Sequence, residues 1–229
     1  MAETSFRTTS CASHGHPEFT VVITETQLPG MESWLLAYLE SSVAEGTRYH
    51  PGETIRIGWN LVRVRGRDDG TLGLAERADA QTWVEQVDRT LRDVWYQREV
   101  AAGVGLAERL DFPGEDQQAI VSSCGLESPV LVLARTEPDD PEFSGWSVEC
   151  FEDHAHRSSY YTTLLELATA MPFAVQFFAL PVSTTVLIES PGMTPTGTIR
   201  PHIVDADGVE LSPIPGSYLD HLVNGTPSG

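Results

Sequence analysis

Residues 54–76 read TIRIGWNLVRVRGRDDGTLGLAE. Ile55, Ile57, Trp59, Leu61 and Val64 alternate with polar residues across Thr54–Arg65, with one slip near Val62. A period of two predicts a long strand with one buried face. Asp68-Asp69-Gly70 is a hairpin turn signal, and Thr71–Glu76 is the returning strand. Arg63, Arg65 and Arg67 share the face opposite the apolar one and run into Asp68 and Asp69, which predicts a salt-bridged solvent face. Hairpin signals of this kind outnumber βαβ signals in the chain. The expected fold is therefore α+β, with mainly antiparallel sheets and flanking helices, in two similar-sized halves packed together.

Working outward, Phe19–Thr26 is β-rich and is read as a strand. Met31, Trp34, Leu35, Tyr38, Leu39 and Val43 follow at helical spacing and predict a helix over 30–45. Residues 1–17 are polar, lack the apolar core of a secretory signal, and are expected to be a flexible tail. Val84, Val87, Leu91, Val94 and Trp95 mark a second helix at 81–102, ended by Gly103 and Gly105. These elements define an N-terminal α+β region, 18–110. The remainder, 111–229, begins with strands at Ala119–Cys124, Val130–Thr136 and Trp146–Phe151. A helix is expected around Tyr160, Tyr161, Leu164, Leu165, Leu167 and Ala168, broken by Pro172. Phe173–Leu180 is apolar enough to be buried, Thr184–Glu189 is a strand, and weaker strands are expected at Ile199–Val204 and Gly208–Leu211. Gly58-Trp59 and Gly145-Trp146 place the same pair in each half, which predicts two Trp core anchors rather than a ligand site.

Composition narrows the chemistry. The 229 residues contain no lysine: all 14 basic side chains are Arg, against 33 Asp and Glu, for a formal charge of −19. Schiff-base, phosphate-loop-Lys and Ser–Lys chemistry are excluded. The charge repels nucleic acid and anionic membrane and favours a basic protein partner. No apolar run is long enough to span a membrane. Cys11, Cys124 and Cys150 are odd in number and lack CxxC spacing, which fits reduced thiols in the cytoplasm.

The candidate sites are weak as motifs. Cys150, His154 and His156 could supply a thiolate and two imidazoles to a metal-dependent hydrolase, but the ligand set is incomplete without a folded-back His14 or His16. Cys124 follows a strand, as a nucleophile might, yet no His is placed beside it by the sequence. The loop Glu137–Phe143 joins Asp139, Asp140 and Glu142 to Phe143, an apolar anchor among charges, and is the candidate partner-binding surface. No catalytic residue, metal ligand or cofactor is assigned.

The strand Pro129–Arg135, Ser144-Gly145-Trp146, the segment Leu164–Pro172, Ala179-Leu180-Pro181-Val182 and Pro215-Gly216-Ser217-Tyr218-Leu219 resemble the bacterial toxin-immunity family known as immunity protein thirty-three. In the first half, Val43-Ala44-Glu45-Gly46-Thr47-Arg48, Ile57-Gly58-Trp59 and Arg67-Asp68-Asp69-Gly70-Thr71-Leu72 are similar to the N-terminal region of its longer members, whereas Ser183 stands where Gly is expected. The resemblance implies a cytoplasmic, non-catalytic immunity protein that binds and neutralises a cognate toxin in interbacterial competition. The alternatives are the hydrolase above and a regulatory module that binds a protein other than a toxin.

Overall fold

A computed structural model describes residues 3–25, 28–79, 81–125, 128–152, 158–189 and 199–224. The fold is α+β, built on two mixed six-stranded sheets. The chain divides into two compact units, 1–95 and 96–229.

In the first unit the sheet order is β1 (Thr4–Arg7), β2 (Phe19–Ile23), β5 (Leu72–Arg77), β4 (Asn60–Gly66), β3 (Thr54–Ile57), with β6 (Trp83–Val84) also paired to β5. All pairs are antiparallel except β2 with β5. Helix α1 (Met31–Ala44) buries Met31, Leu35, Leu39 and Val43 on one stripe, the period the sequence predicts. Cys11, Phe19, Val62, Val64, Leu74 and Leu91 join the same core.

Residues 54–76 fold as two hairpins, not one. Ile57 pairs with Asn60, so Gly58-Trp59 is a two-residue turn. Gly58 adopts φ +60°, as the first central residue of a II′ turn requires. The expected single strand over 54–65 is therefore corrected to β3–turn–β4. The slip near Val62 is the change of phase across this turn, with Ile57 and Trp59 buried on one side and Asn60, Val62 and Val64 on the other. The Asp68-Asp69-Gly70 turn forms as expected, with Gly66 opposite Leu72. Asp69 Oδ1 accepts from both the backbone N (3.0 Å) and the hydroxyl (2.7 Å) of Thr71.

Two further expectations are corrected. Residues 3–17 are not loose: β1 pairs along β2, Cys11 is fully buried, and the segment is pinned where Glu18 accepts from Thr8, Cys11 and Ala12 and Glu40 accepts from Thr9 and Ser10. A polar sequence docks here because its backbone donors meet carboxylates. Helix α2 runs from Asp88 to Gly103, not from 81, because Trp83-Val84 pair with β5 instead. Its first turn is capped from the strand: Glu76 accepts from Arg89 N (3.0 Å), Thr90 N (2.7 Å) and the Thr90 hydroxyl (2.8 Å). The division between units falls within α2, after Trp95.

In the second unit the sheet order is β10 (Ser159–Thr163), β7 (Gln118–Ser122), β9 (Phe143–Cys150), β8 (Val130–Arg135), β11 (Thr185–Glu189), β12 (Arg200–Val204). Only β7 with β9 is parallel. Tyr160 and Tyr161, expected in a helix, lie on β10, and α3 spans Leu164–Ala170. The boundary is set by a capping box, in which Thr163 and Glu166 satisfy each other's backbone N–H groups. Phe177, Phe178, Ala179 and Leu180 are buried, as their apolarity predicts. Gly208–Leu211 forms no strand, only an isolated bridge from Glu210 to Val204. The terminal helix α4 spans Tyr218–Asn224.

Candidate functional site, an acidic loop beside an aromatic sheet edge

The loop before β9 is held rigidly by its own backbone. Asp140 O accepts from Phe143 N at 3.0 Å, and Asp140 Oδ1 accepts from Glu142 N at 2.9 Å. The Gln117 side-chain amide donates to Pro141 O (2.8 Å) and Phe143 O (3.2 Å), and Gln118 N donates to Glu142 O (2.8 Å). Asp139, Asp140 and Glu142 are exposed, and among the described residues no cation pairs with them. Exposed, uncompensated carboxylates on a hydrogen-bonded loop backbone project a negative field.

A buried guanidinium anchors the base of this loop. Arg135, at the end of β8, is 5% exposed. Its Nη1 donates to the carbonyls of Asp111 (2.7 Å) and Leu180 (2.5 Å), its Nε to Ser144 O (3.4 Å), and its Nη2 pairs with Asp111 Oδ2 at 3.0 Å. Burial lowers its pKa, and Asp111 followed by Glu137 opposes that shift. The guanidinium also lies 5.8 Å from the Trp146 ring centroid. Gly145 completes the anchor. With φ +80°, it brings the chain so close to β8 that a Cβ there would sit 2.1 Å from Thr136 O. Trp146 then enters the core, its indole N–H donating to Phe178 O at 3.0 Å.

Phe143, at the start of β9, meets Tyr161 of the edge strand β10 edge-on, ring centroids 5.4 Å apart. Tyr161, 63% exposed, stands opposite Ile120, 39% exposed, across the β10–β7 pair. Phe143, Tyr161 and Ile120 make an apolar patch beside three exposed carboxylates, the composition of an anchor with a charged rim.

The other sequence candidates fare differently. Cys150 ends β9, and its sulfur is 3.2 Å from Cys124 Sγ. His154 and His156 lie outside the described residues. His16 is buried with both ring nitrogens engaged, Nδ1 with Pro17 O (2.7 Å) and Nε2 accepting from Tyr49 N (3.0 Å), so neither is open to a metal. Among the described residues no cluster of three or more His, Cys, Asp or Glu is placed to hold a metal ion. Arg63 is not part of a salt-bridged row; it stacks over Trp83, 4.3 Å from the ring centroid, while Arg67 approaches Glu85 at 3.8 Å.

The sequence reading missed Tyr161, Ile120 and Arg135. For Tyr161 the signal was present: Ser-Tyr-Tyr-Thr-Thr is a strand-forming run, and Thr163-x-x-Glu166 marks the helix start after it. It also missed the buried carboxylates of the first unit. Burial raises the pKa of Glu76 against the opposing hydrogen bonds from Thr90 and Arg89. Burial pushes Asp93 up to about 7, with Arg89 the largest opposing influence. Glu76 is occupied in capping α2 and Asp93 in holding Trp59, so both are read as structural.

No family model matches the chain, and neither a curated protein nor a solved structure matches it. Among the described residues no helix is long and apolar enough to cross a membrane.

Proposed function

We propose that this chain is a non-catalytic cytoplasmic binding protein that captures a basic protein partner, a bacterial toxin in the immunity reading. The observation that carries the proposal is the Phe143–Tyr161 pair set beside the exposed carboxylates of Asp139, Asp140 and Glu142. An aromatic anchor supplies contact energy once desolvated, and the adjacent charge selects a cationic surface and speeds encounter with it. The formal charge of −19 extends that steering beyond the loop and disfavours nucleic acid and anionic membrane as ligands. Inhibition follows from occupancy alone, so no catalytic group is required.

The test is calorimetry of the purified protein with purified candidate toxins, taken from among the products of the neighbouring genes. A stoichiometric complex whose affinity falls as salt is raised from 50 mM to 500 mM, and again in Tyr161→Ala, supports the reading. A salt-insensitive complex unaffected by Tyr161→Ala removes this surface from the account, and absence of binding removes the immunity function. Binding to a non-toxin basic protein instead supports the regulatory-module alternative.

A further inference from the structure

Cys124 and Cys150 are 26 positions apart in sequence, yet the fold sets their sulfurs 3.2 Å from each other. Two features of the second sheet produce this. Strands β7 and β9 are parallel neighbours, with Val121 beside Val148, so the turn after β7 and the end of β9 fall at the same end of the sheet. Gly125 then lets that turn press onto β9: a Cβ there would lie 3.1–3.2 Å from the backbone of Glu149. Cys124 is partly exposed, whereas Cys150 is 7% exposed. The third thiol, Cys11, is fully buried in the other unit, where its Sγ approaches Thr8 Oγ1 at 3.6 Å.

We infer that Cys124 and Cys150 form a disulfide-forming site, with Cys124 the attacking thiol and Cys150 the resolving one. The sulfurs need to close by about 1.2 Å to reach a bond length of about 2.0 Å. The oxidant is a small-molecule disulfide such as oxidised glutathione. The Cys124 thiolate attacks one of its sulfurs, breaking that S–S bond and releasing one glutathione thiolate, which takes up the proton Cys124 lost. The Cys150 thiolate then attacks Cys124 Sγ, expels the second glutathione, and its proton goes to that leaving group. Two protein thiols are oxidised to one disulfide, and one glutathione disulfide is reduced to two thiols. The Cys124 thiol is raised above the ordinary thiol range, first by its hydrogen bond with Cys150 and then by desolvation. Attack is therefore slow at neutral pH and accelerates as pH rises. The closed 26-residue spacing restricts the unfolded chain, so the oxidised form melts higher, by roughly 5–10 °C.

The experiment equilibrates the reduced full chain with oxidised glutathione at pH 8.5 and counts thiols after denaturation, with peptide mapping. The expected result is a fall from three thiols to one, a Cys124–Cys150 linked peptide with Cys11 still free, and the higher melting temperature. Cys150→Ser should instead trap glutathione on Cys124. Gly125→Ala, with circular dichroism confirming the fold, should close the disulfide several-fold more slowly. Three persistent thiols, a stable glutathione adduct on Cys124 in the native chain, a disulfide through Cys11, or unchanged closure in Gly125→Ala would each overturn the inference.

Discussion

The indole Nε1 of Trp59 donates to Asp93 Oδ2 across 3.2 Å, joining a turn residue of the β3–β4 hairpin to the first half of α2. Trp59 is fully buried, and Asp93 is 9% exposed. A carboxyl group so placed resists ionisation, which is why Asp93 titrates near 7 rather than near 3.8. Between about pH 4 and pH 7 the folded chain holds a proton that the unfolded chain has released. Stability present below pH 4 is therefore lost as pH rises through 7. The raised pKa of Glu76 acts in the same direction. Asp93→Asn keeps an acceptor for the indole and removes the charge. It should flatten the decline and exceed the native chain at pH 8 by an amount on the order of a few kcal/mol. Urea midpoints measured from pH 4 to pH 8 check this, and equal slopes for both proteins would refute it.

Trp146 is likewise buried in the second unit, 2% exposed, with its N–H on Phe178 O. Trp59→Ala and Trp146→Ala should each cost roughly 3–5 kcal/mol, the scale of large core truncations. Chemical denaturation measures it. A loss below about 1 kcal/mol at either position would contradict the packing described.

Gly145 and Gly70 share a φ of +80° but not a neighbourhood. Nothing lies within 4 Å of a Cβ at Gly70, so Gly70→Ala should cost only backbone strain, about 1 kcal/mol. Gly145→Ala adds the contact with Thr136 O and should cost distinctly more, while also displacing the loop that carries Phe143. Equal destabilisation in thermal melts of the two variants would contradict the close β8–β9 approach.

The predicted partner surface separates rate from anchor. Asp139→Arg with Glu142→Arg reverses exposed charge and should slow association tenfold or more at low salt, leaving dissociation nearly unchanged. Phe143→Ala and Tyr161→Ala should instead speed dissociation, each costing about 2 kcal/mol of affinity. Stopped-flow association and surface-based dissociation kinetics distinguish the two effects.

Much of this fold is local and was legible as such. The Asp68-Asp69-Gly70 turn, the α1 stripe and the alternating β8 and β9 strands follow from periodicity and turn chemistry. Gly58-Trp59 was misread because a buried Trp in a two-residue turn continues the apolar alternation; only the slip at Val62 betrays the change of strand. The N-terminal segment was misread because its docking depends on Glu18 and Glu40, and carboxylates that accept backbone N–H groups look like any solvated charge in sequence. The site itself was half legible. Phe143 and its acidic neighbours are contiguous, but Tyr161 and Ile120 reach them only through the β10–β7–β9 strand order, which no local pattern encodes. The contact of Cys124 with Cys150 is hidden for the same reason.

Growth rescue tests whether this chain neutralises a toxin. Cells made to express a candidate toxin, taken from among the products of the neighbouring genes, are supplied with the native chain or with folded Asp139→Arg/Asp140→Arg/Tyr161→Ala. Survival is expected with the native chain, and loss of protection, by at least tenfold in viable count, with the triple variant. Equal death with and without the native chain, or equal protection by the triple variant, would contradict it.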